Sequence, residues 1–271
     1  MQWRWRRFCT CFGTQLILLK LKMQYGISHL SVVSVRIAAD SNSEMVTQLL
    51  YGEHFKVLES RKHFSKIRKT FDAAEGWVNN LQFCLIDEER YYKVHSSEKR
   101  YSADLVSSVE TEKGILIPIL MGSSVGNCRF LKHTFDGKST DQNQEKTGLI
   151  PTSLYYLDAP FLTGGLTPFG LDSAGFTQMV YKVNGHALSR TPSQQATQGE
   201  ALSFIEESEP GDLAFFDNSE GEIDHVGIIL EDNYIIHAFG KVRIDRIDHT
   251  GIFNTETGSY SHQLRVIKKI I

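Results

Sequence analysis

Ser173, His225 and His237 are the residues whose types and spacing could do chemistry together. In the run Thr167-Pro168-Phe169-Gly170-Leu171-Asp172-Ser173-Ala174-Gly175-Phe176, Pro168 and Gly170 end a loop. Asp172 follows in a position to cap a helix, because its carboxylate accepts from the first free backbone N–H groups. Phe176, Met179, Val180 and Val183 then fall at i, i+3, i+4 and i+7, which is one apolar helix face. Ser173 therefore stands in a first helical turn, where developing negative charge is stabilised. A hydroxyl there also serves as a plain cap, so a nucleophilic role requires a base brought to it by the fold.

Two histidines are candidates for that base. His225-Val226-Gly227-Ile228-Ile229-Leu230 and Tyr234-Ile235-Ile236-His237-Ala238-Phe239 flank Glu231-Asp232-Asn233, a three-residue hairpin turn. With Leu230 opposite Tyr234, Gly227 faces His237 and His225 faces Phe239. The two imidazoles then lie on one sheet face as diagonal neighbours, and Gly227 leaves room beside His237. A base and its orienter need that arrangement. Either histidine alone would read as packing. An esterase elbow is disfavoured, because Gly170 to Ser173 has one residue too many for G-x-S-x-G. A metal hydrolase is weaker still: there is no H-E-x-x-H, and the two histidines lack a clear third ligand. No metal or other cofactor is expected.

These residues need elements to position them, and the composition permits a core. The chain has 271 residues, 41% hydrophobic and 23% charged, which excludes wholesale disorder. A formal net charge of -3 argues against a nucleic-acid partner, since phosphate neutralisation needs concentrated positive charge. No apolar run approaches the roughly 20 residues of a membrane span, so no integral membrane segment is expected. The four cysteines, Cys9, Cys11, Cys84 and Cys128, are too few for a disulfide scaffold at this length. Cys84 and Cys128 read as small buried hydrophobes.

Residues 1–22, with Arg4, Arg6 and Arg7 before an apolar run broken by Thr10, Gly13, Thr14 and Gln15, read as an atypical N-terminal extension. With Met23 as the domain start the expected location is cytoplasmic; an export signal in 1–22 would instead place the protein in the cell envelope or periplasm. Short β-branched runs at 31–37, 55–59, 65–70 and 76–78 predict a small β-barrel over 23–87. A second β-rich, SH3-like module is expected over 88–154, with Asp136-Gly137 as a hairpin-type turn. An α+β domain over 155–271 carries the candidate chemistry.

The order of the helix motif, Gly211-Asp212-Leu213-Ala214-Phe215-Phe216, Asp224-His225-Val226-Gly227-Ile228-Ile229-Leu230 and Ile235-Ile236-His237-Ala238-Phe239-Gly240 resembles the NlpC-type cell-wall endopeptidases. These papain-like enzymes cut the γ-D-glutamyl bond to a diamino acid in peptidoglycan stem peptides. Upstream, Arg36, Tyr51-Gly52-Glu53, Phe55-x-Val57-Leu58, Ile67-Arg68 and Glu75-Gly76-Trp77-Val78 resemble a bacterial SH3-like domain. The resemblance implies an α+β fold, a papain-like NlpC-type domain preceded by an SH3-like small β-barrel region. It also implies a monomer whose partner is a stem peptide of the L-Ala-γ-D-Glu-diamino acid type. The catalytic set carries over to Ser173, His225 and His237.

The departures from that family pattern are specific. Its Asp-Cys-Ser-Gly-Phe appears as Asp172-Ser173-Ala174-Gly175-Phe176, so the nucleophilic sulfur is gone. Thr163 stands where a tryptophan precedes Gly-Gly, and Arg190-Thr191 stands where an Arg-Asp pair holds the substrate amine. Ala74 replaces a tyrosine lent by the SH3-like domain, and Phe239 replaces a small polar residue. By resemblance, Asp172, Arg190, Thr191, Ala74, Phe239 and Thr163 are the substrate-binding positions. The implied function is a degenerate hydrolase homologue that binds a cell-wall peptide or a partner. The alternatives are a working γ-D-glutamyl endopeptidase using Ser173, and an interaction scaffold built on SH3-like modules.

Overall fold

A computed structural model describes residues 23–140 and 145–271; the extension expected over 1–22 lies outside the described residues. Seven antiparallel strands open the described chain: Gln24–Ile27, Val32–Arg36, Met45–Leu50, His54–Ser60, Phe64–Lys69, Glu75–Asn79 and Cys84–Ile86. They are ordered third, second, sixth, fifth, fourth, first, seventh. Alternation drives this SH3-like region together, since Val33, Val35, Phe55, Val57 and Ile67 turn to one interior with Leu49, Val78 and Phe83. The strand Met45–Leu50, absent from the sequence-based expectation, has its last four residues buried, two of them polar.

Between the two larger units lie the helix Glu88–His95 and a three-stranded sheet of Leu116–Leu120, Val106–Thr111 and His133–Thr134. Asp136-Gly137 does not close a hairpin. His133–Thr134 pairs with Val106–Thr111, whereas Ser139–Thr140 pairs with Tyr101–Ser102, so the two segments beside the turn leave for different sheets. The short helix Leu149–Leu154, at the end of the region assigned to the second module, buries Leu149 in the core of the C-terminal domain.

That domain is built on seven antiparallel strands in the order Glu200–Leu202, Ser259–Lys269, Leu213–Asp217, Ile223–Ile229, Tyr234–Phe239, Lys241–Ile247 and Gly251–Asn254. Gly251–Asn254 also pairs with Ser259–Lys269, which brings the outer strands back towards the middle of the sheet. The helix Ser173–Val183 packs on this sheet, and Phe176, Met179, Val180 and Val183 join one buried cluster with Val226, Ile228 and Ile236 of its strands, as the periodicity predicts. All eleven of its residues are buried, so the face away from the sheet is covered as well.

The SH3-like region helps to cover it, through ionic contacts. Lys182 Nζ lies 2.6 Å from Glu53, Lys69 lies 3.6 Å from Glu53 and 3.3 Å from Asp72, and Gln178 donates to Asp72 at 3.2 Å. Burial alone would raise the Glu53 pKa, but the two ammonium groups outweigh it and hold the carboxyl down to about 2. Among the described residues no helix is long and apolar enough to cross a membrane.

Candidate active site

The helix N-terminus is held by a saturated carboxylate. Asp172 Oδ1 accepts from the Gly175 amide at 2.7 Å, and Oδ2 accepts from the Gly164 amide at 2.8 Å. The Arg190 guanidinium grips both oxygens, at 3.0 and 2.6 Å, and its Nε donates to Thr47 of the SH3-like region at 3.0 Å. Through these bonds Asp172 and Arg190 act structurally, fixing the loop, the helix start and the neighbouring strand to one another. Gly164, at φ +78°, makes the close approach possible, because a Cβ there would stand 2.3 Å from the Met45 carbonyl oxygen.

Ser173 is the first residue of the helix and is 5% exposed. It lines a cleft of about 510 Å³ together with Thr163, Asp172, Arg190, Thr191, His225 and Phe239. The cleft thus gathers most of the positions expected from the sequence. Thr191 also caps the short helix Pro192–Gln195, accepting from the Gln194 amide at 3.3 Å. Ala74 is not part of the cleft wall. It sits in the turn after Lys69, its amide donating to Asp72 and its carbonyl accepting from the Lys69 amide. The SH3-like region contributes Glu44, Met45 and Val46 to the wall instead.

The histidines come from the hairpin, with Gly227 opposite His237 and Ile228 opposite Ile236 as the turn dictates. A Cβ on Gly227 would stand 2.9 Å from the His237 Cβ, so the glycine is what admits the second imidazole. His225 Nε2 lies 2.8 Å from His237 Nδ1, and His237 Nε2 lies 3.0 Å from Asp245 Oδ2. The hydrogens follow from the end of the chain. An ionised carboxylate only accepts, so His237 carries its hydrogen on Nε2 and offers a lone pair at Nδ1. His225 then donates from Nε2 and keeps a lone pair at Nδ1, the form a general base requires. Arg243 anchors the far end, donating to Asp245 at 2.6 and 3.0 Å.

Asp245, Arg243 and His262 lie beyond the sequence-based expectation. Asp245 enters from the strand Lys241–Ile247, whose pairing of Phe239 with Lys241 across Gly240 is a further hairpin. That glycine is the available signal. His262 enters from Ser259–Lys269 and lies face to face with His225, with ring centroids 4.0 Å apart. Phe239 sets its ring edge-on to His262 at 4.8 Å and is 45% exposed, so it forms part of the wall and leaves the cleft open.

Electrostatics follow from this packing. Burial, then the neighbouring His237 and His262, push the His225 pKa well below the usual imidazole value. Burial lowers His237 as well, against the opposing pull of Asp245. His262 is pushed down to about 4 by burial and by His237. Burial would raise Asp245, but the hydrogen bonds from His237 and Arg243 prevail and keep it ionised.

A serine at a helix start, set against an antiparallel sheet that carries a chain of imidazole, imidazole and carboxylate, defines a papain-like α+β domain. Residues 158–259 match the NlpC/P60 family, and residues 35–82 match the bacterial dipeptidyl-peptidase Sh3 domain. The chain thus carries an NlpC/P60 domain behind a bacterial SH3-type domain. It is 23% identical over 228 residues to a gamma-D-glutamyl-L-lysine dipeptidyl-peptidase of Bacillus subtilis, covering 75% of each chain. It is 28% identical to dipeptidyl-peptidase 6 of Lysinibacillus sphaericus, over 77% of this chain and 86% of the relative. The crystal structure of an NlpC/P60 family protein from Bacillus cereus superimposes with a TM-score of 0.74 at 18% identity, covering 91% of this chain and 99% of that one.

Proposed function

We propose that this protein binds peptidoglycan stem peptides of the L-Ala-γ-D-Glu-diamino acid type in the cleft and has lost most of the capacity to cleave them. The observation that carries the reading is the alcohol of Ser173 at the helix N-terminus, where a papain-like mechanism uses a thiolate. A cysteine is partly ionised near neutral pH and is intrinsically nucleophilic, whereas a serine must lose its proton to a base in every turnover. The resemblance further supports a weakened grip on the substrate amine, because Thr191, in the cleft wall, stands where the family pattern it resembles has an Asp. The names of the matched relatives, a gamma-D-glutamyl-L-lysine dipeptidyl-peptidase and a dipeptidyl-peptidase, support the substrate class.

The test combines calorimetry and a turnover assay with L-Ala-γ-D-Glu-diamino acid peptides. Saturable binding with negligible release of the diamino acid is the expected result. The intact relay from His225 to Asp245 favours one second reading, a working hydrolase that uses Ser173 with His225 as base. Robust turnover that disappears in Ser173→Ala would establish that reading and overturn the first. Absence of both binding and turnover would reject both.

A further inference from the structure

We propose that His225, His237 and His262 form a binding site for a divalent transition cation of the zinc class at the floor of the cleft. One ring nitrogen from each histidine lies within 4.8 Å of the other two. The third ligand that the sequence lacked is supplied by the strand Ser259–Lys269, whose pairing with Leu213–Asp217 and Gly251–Asn254 carries His262 onto His225.

Three neutral imidazoles suit zinc, cobalt, nickel and copper ions far better than calcium or magnesium. Zinc–nitrogen bonds of about 2.0–2.1 Å in a tetrahedron set the nitrogens about 3.3 Å apart, so the nitrogens need to close by no more than about 1.5 Å and the stacked His225 and His262 rings must turn out of their stack to aim both lone pairs at one cation. Supporting contacts are already built. His237 is fully buried, and its outer nitrogen faces Asp245, which Arg243 holds in turn. A carboxylate behind a ligating histidine fixes the tautomer and strengthens the ligand.

The exchange is balanced without net loss of a proton. The hydrogen now shared between His225 Nε2 and His237 Nδ1 gives way to the cation, and His225 moves its N–H to Nδ1. Three protein ligands leave a fourth position open, on the side of the cleft that His225 and His262 line. The bound cation and the hydrogen-bonded relay use the same two nitrogens, His225 Nε2 and His237 Nδ1, and therefore exclude each other. The inference does not depend on the peptide-binding reading, because the ligands are protein nitrogens alone.

Titration of the metal-free full-length chain with Co²⁺ tests the site directly. One Co²⁺ per chain is expected, with the intense visible absorption of a tetrahedral centre, displaced by Zn²⁺. His262→Gln should weaken binding at least tenfold and abolish that band, and Asp245→Asn should weaken it by about 10–100-fold. The exposed His249→Gln should change neither. Should a variant fail to fold, Zn²⁺ titration of the unmodified chain followed through its histidine ring NMR signals gives the same answer. Signals of the three histidines that stay unmoved at stoichiometric Zn²⁺ overturn the proposal, as does cobalt binding that persists unaltered in His262→Gln.

Discussion

At the scale of single residues, an imidazole–imidazole–carboxylate chain lies beside the cleft that Ser173 lines. His237, Asp245 and Arg243 keep His225 in the tautomer a base needs, and on the proposed reading the group it would activate is the Ser173 hydroxyl. Restoring sulfur addresses only that step. On the proposed reading Thr191 supplies no carboxylate at the position that would hold a substrate amine, and the Phe239 ring flanks His262, which covers one face of His225. Ser173→Cys is therefore expected to recover only a small part of the γ-D-glutamyl peptidase rate of an active relative, short by roughly 100-fold or more, since positioning contributes as much as the nucleophile. Adding Thr191→Asp should raise the rate further, mainly through a lower KM. Steady-state kinetics of the two variants decide this, and full rescue by Ser173→Cys alone would refute it.

At the scale of elements, the helix start and the hairpin were legible because each is fixed by local chemistry. Asp172 caps where a side-chain acceptor precedes an apolar helical period, and Leu230 meets Tyr234 because a short turn leaves little choice. The strand Met45–Leu50 was not legible. Its Thr47 and Gln48 are buried because Arg190 and the Leu166 amide of the other domain bond them, so no polar–apolar alternation survives in the sequence. His262 was hidden for a similar reason, since its strand is set by partners distant in sequence. Ala74 shows the reverse error, where order along the chain placed a residue at a cleft that the turn after Lys69 does not reach. The Asp172 bonds also make an element-scale prediction. Asp172→Ala removes the cap, worth about 1 kcal/mol, and leaves the buried Arg190 without its carboxylate, so the total loss should be about 3–5 kcal/mol. Urea unfolding measures it, and a loss below about 1 kcal/mol would show that the clamp is incidental.

At the scale of the whole molecule, buried charge ties the two units together and makes stability depend on pH. His54 has a buried Nε2 with no hydrogen-bond partner among the described residues, and burial, then His95, lower its pKa to about 4. The unfolded chain therefore binds a proton at this residue from about pH 6.5 downward while the folded chain does not. His54 thus contributes stability above that pH, and the contribution is lost as pH falls towards 4, by no more than about 1 kcal/mol per pH unit after solvent screening. His54→Phe should flatten the fall of Tm between pH 6.5 and 4.5, and an unchanged slope would exclude this origin. Glu53 makes the stronger prediction. It sits on the SH3-like side, 5% exposed, and neutralises Lys182, which is 2% exposed on the helix that starts at Ser173. Glu53→Gln leaves that ammonium buried with its nearest carboxylate gone, which should cost about 3–5 kcal/mol. Because the pair spans both units, hydrogen exchange should accelerate together in Met45–Leu50 and in Ser173–Val183. Acceleration confined to the SH3-like strands would mean that the helix carrying Ser173 holds its place without them.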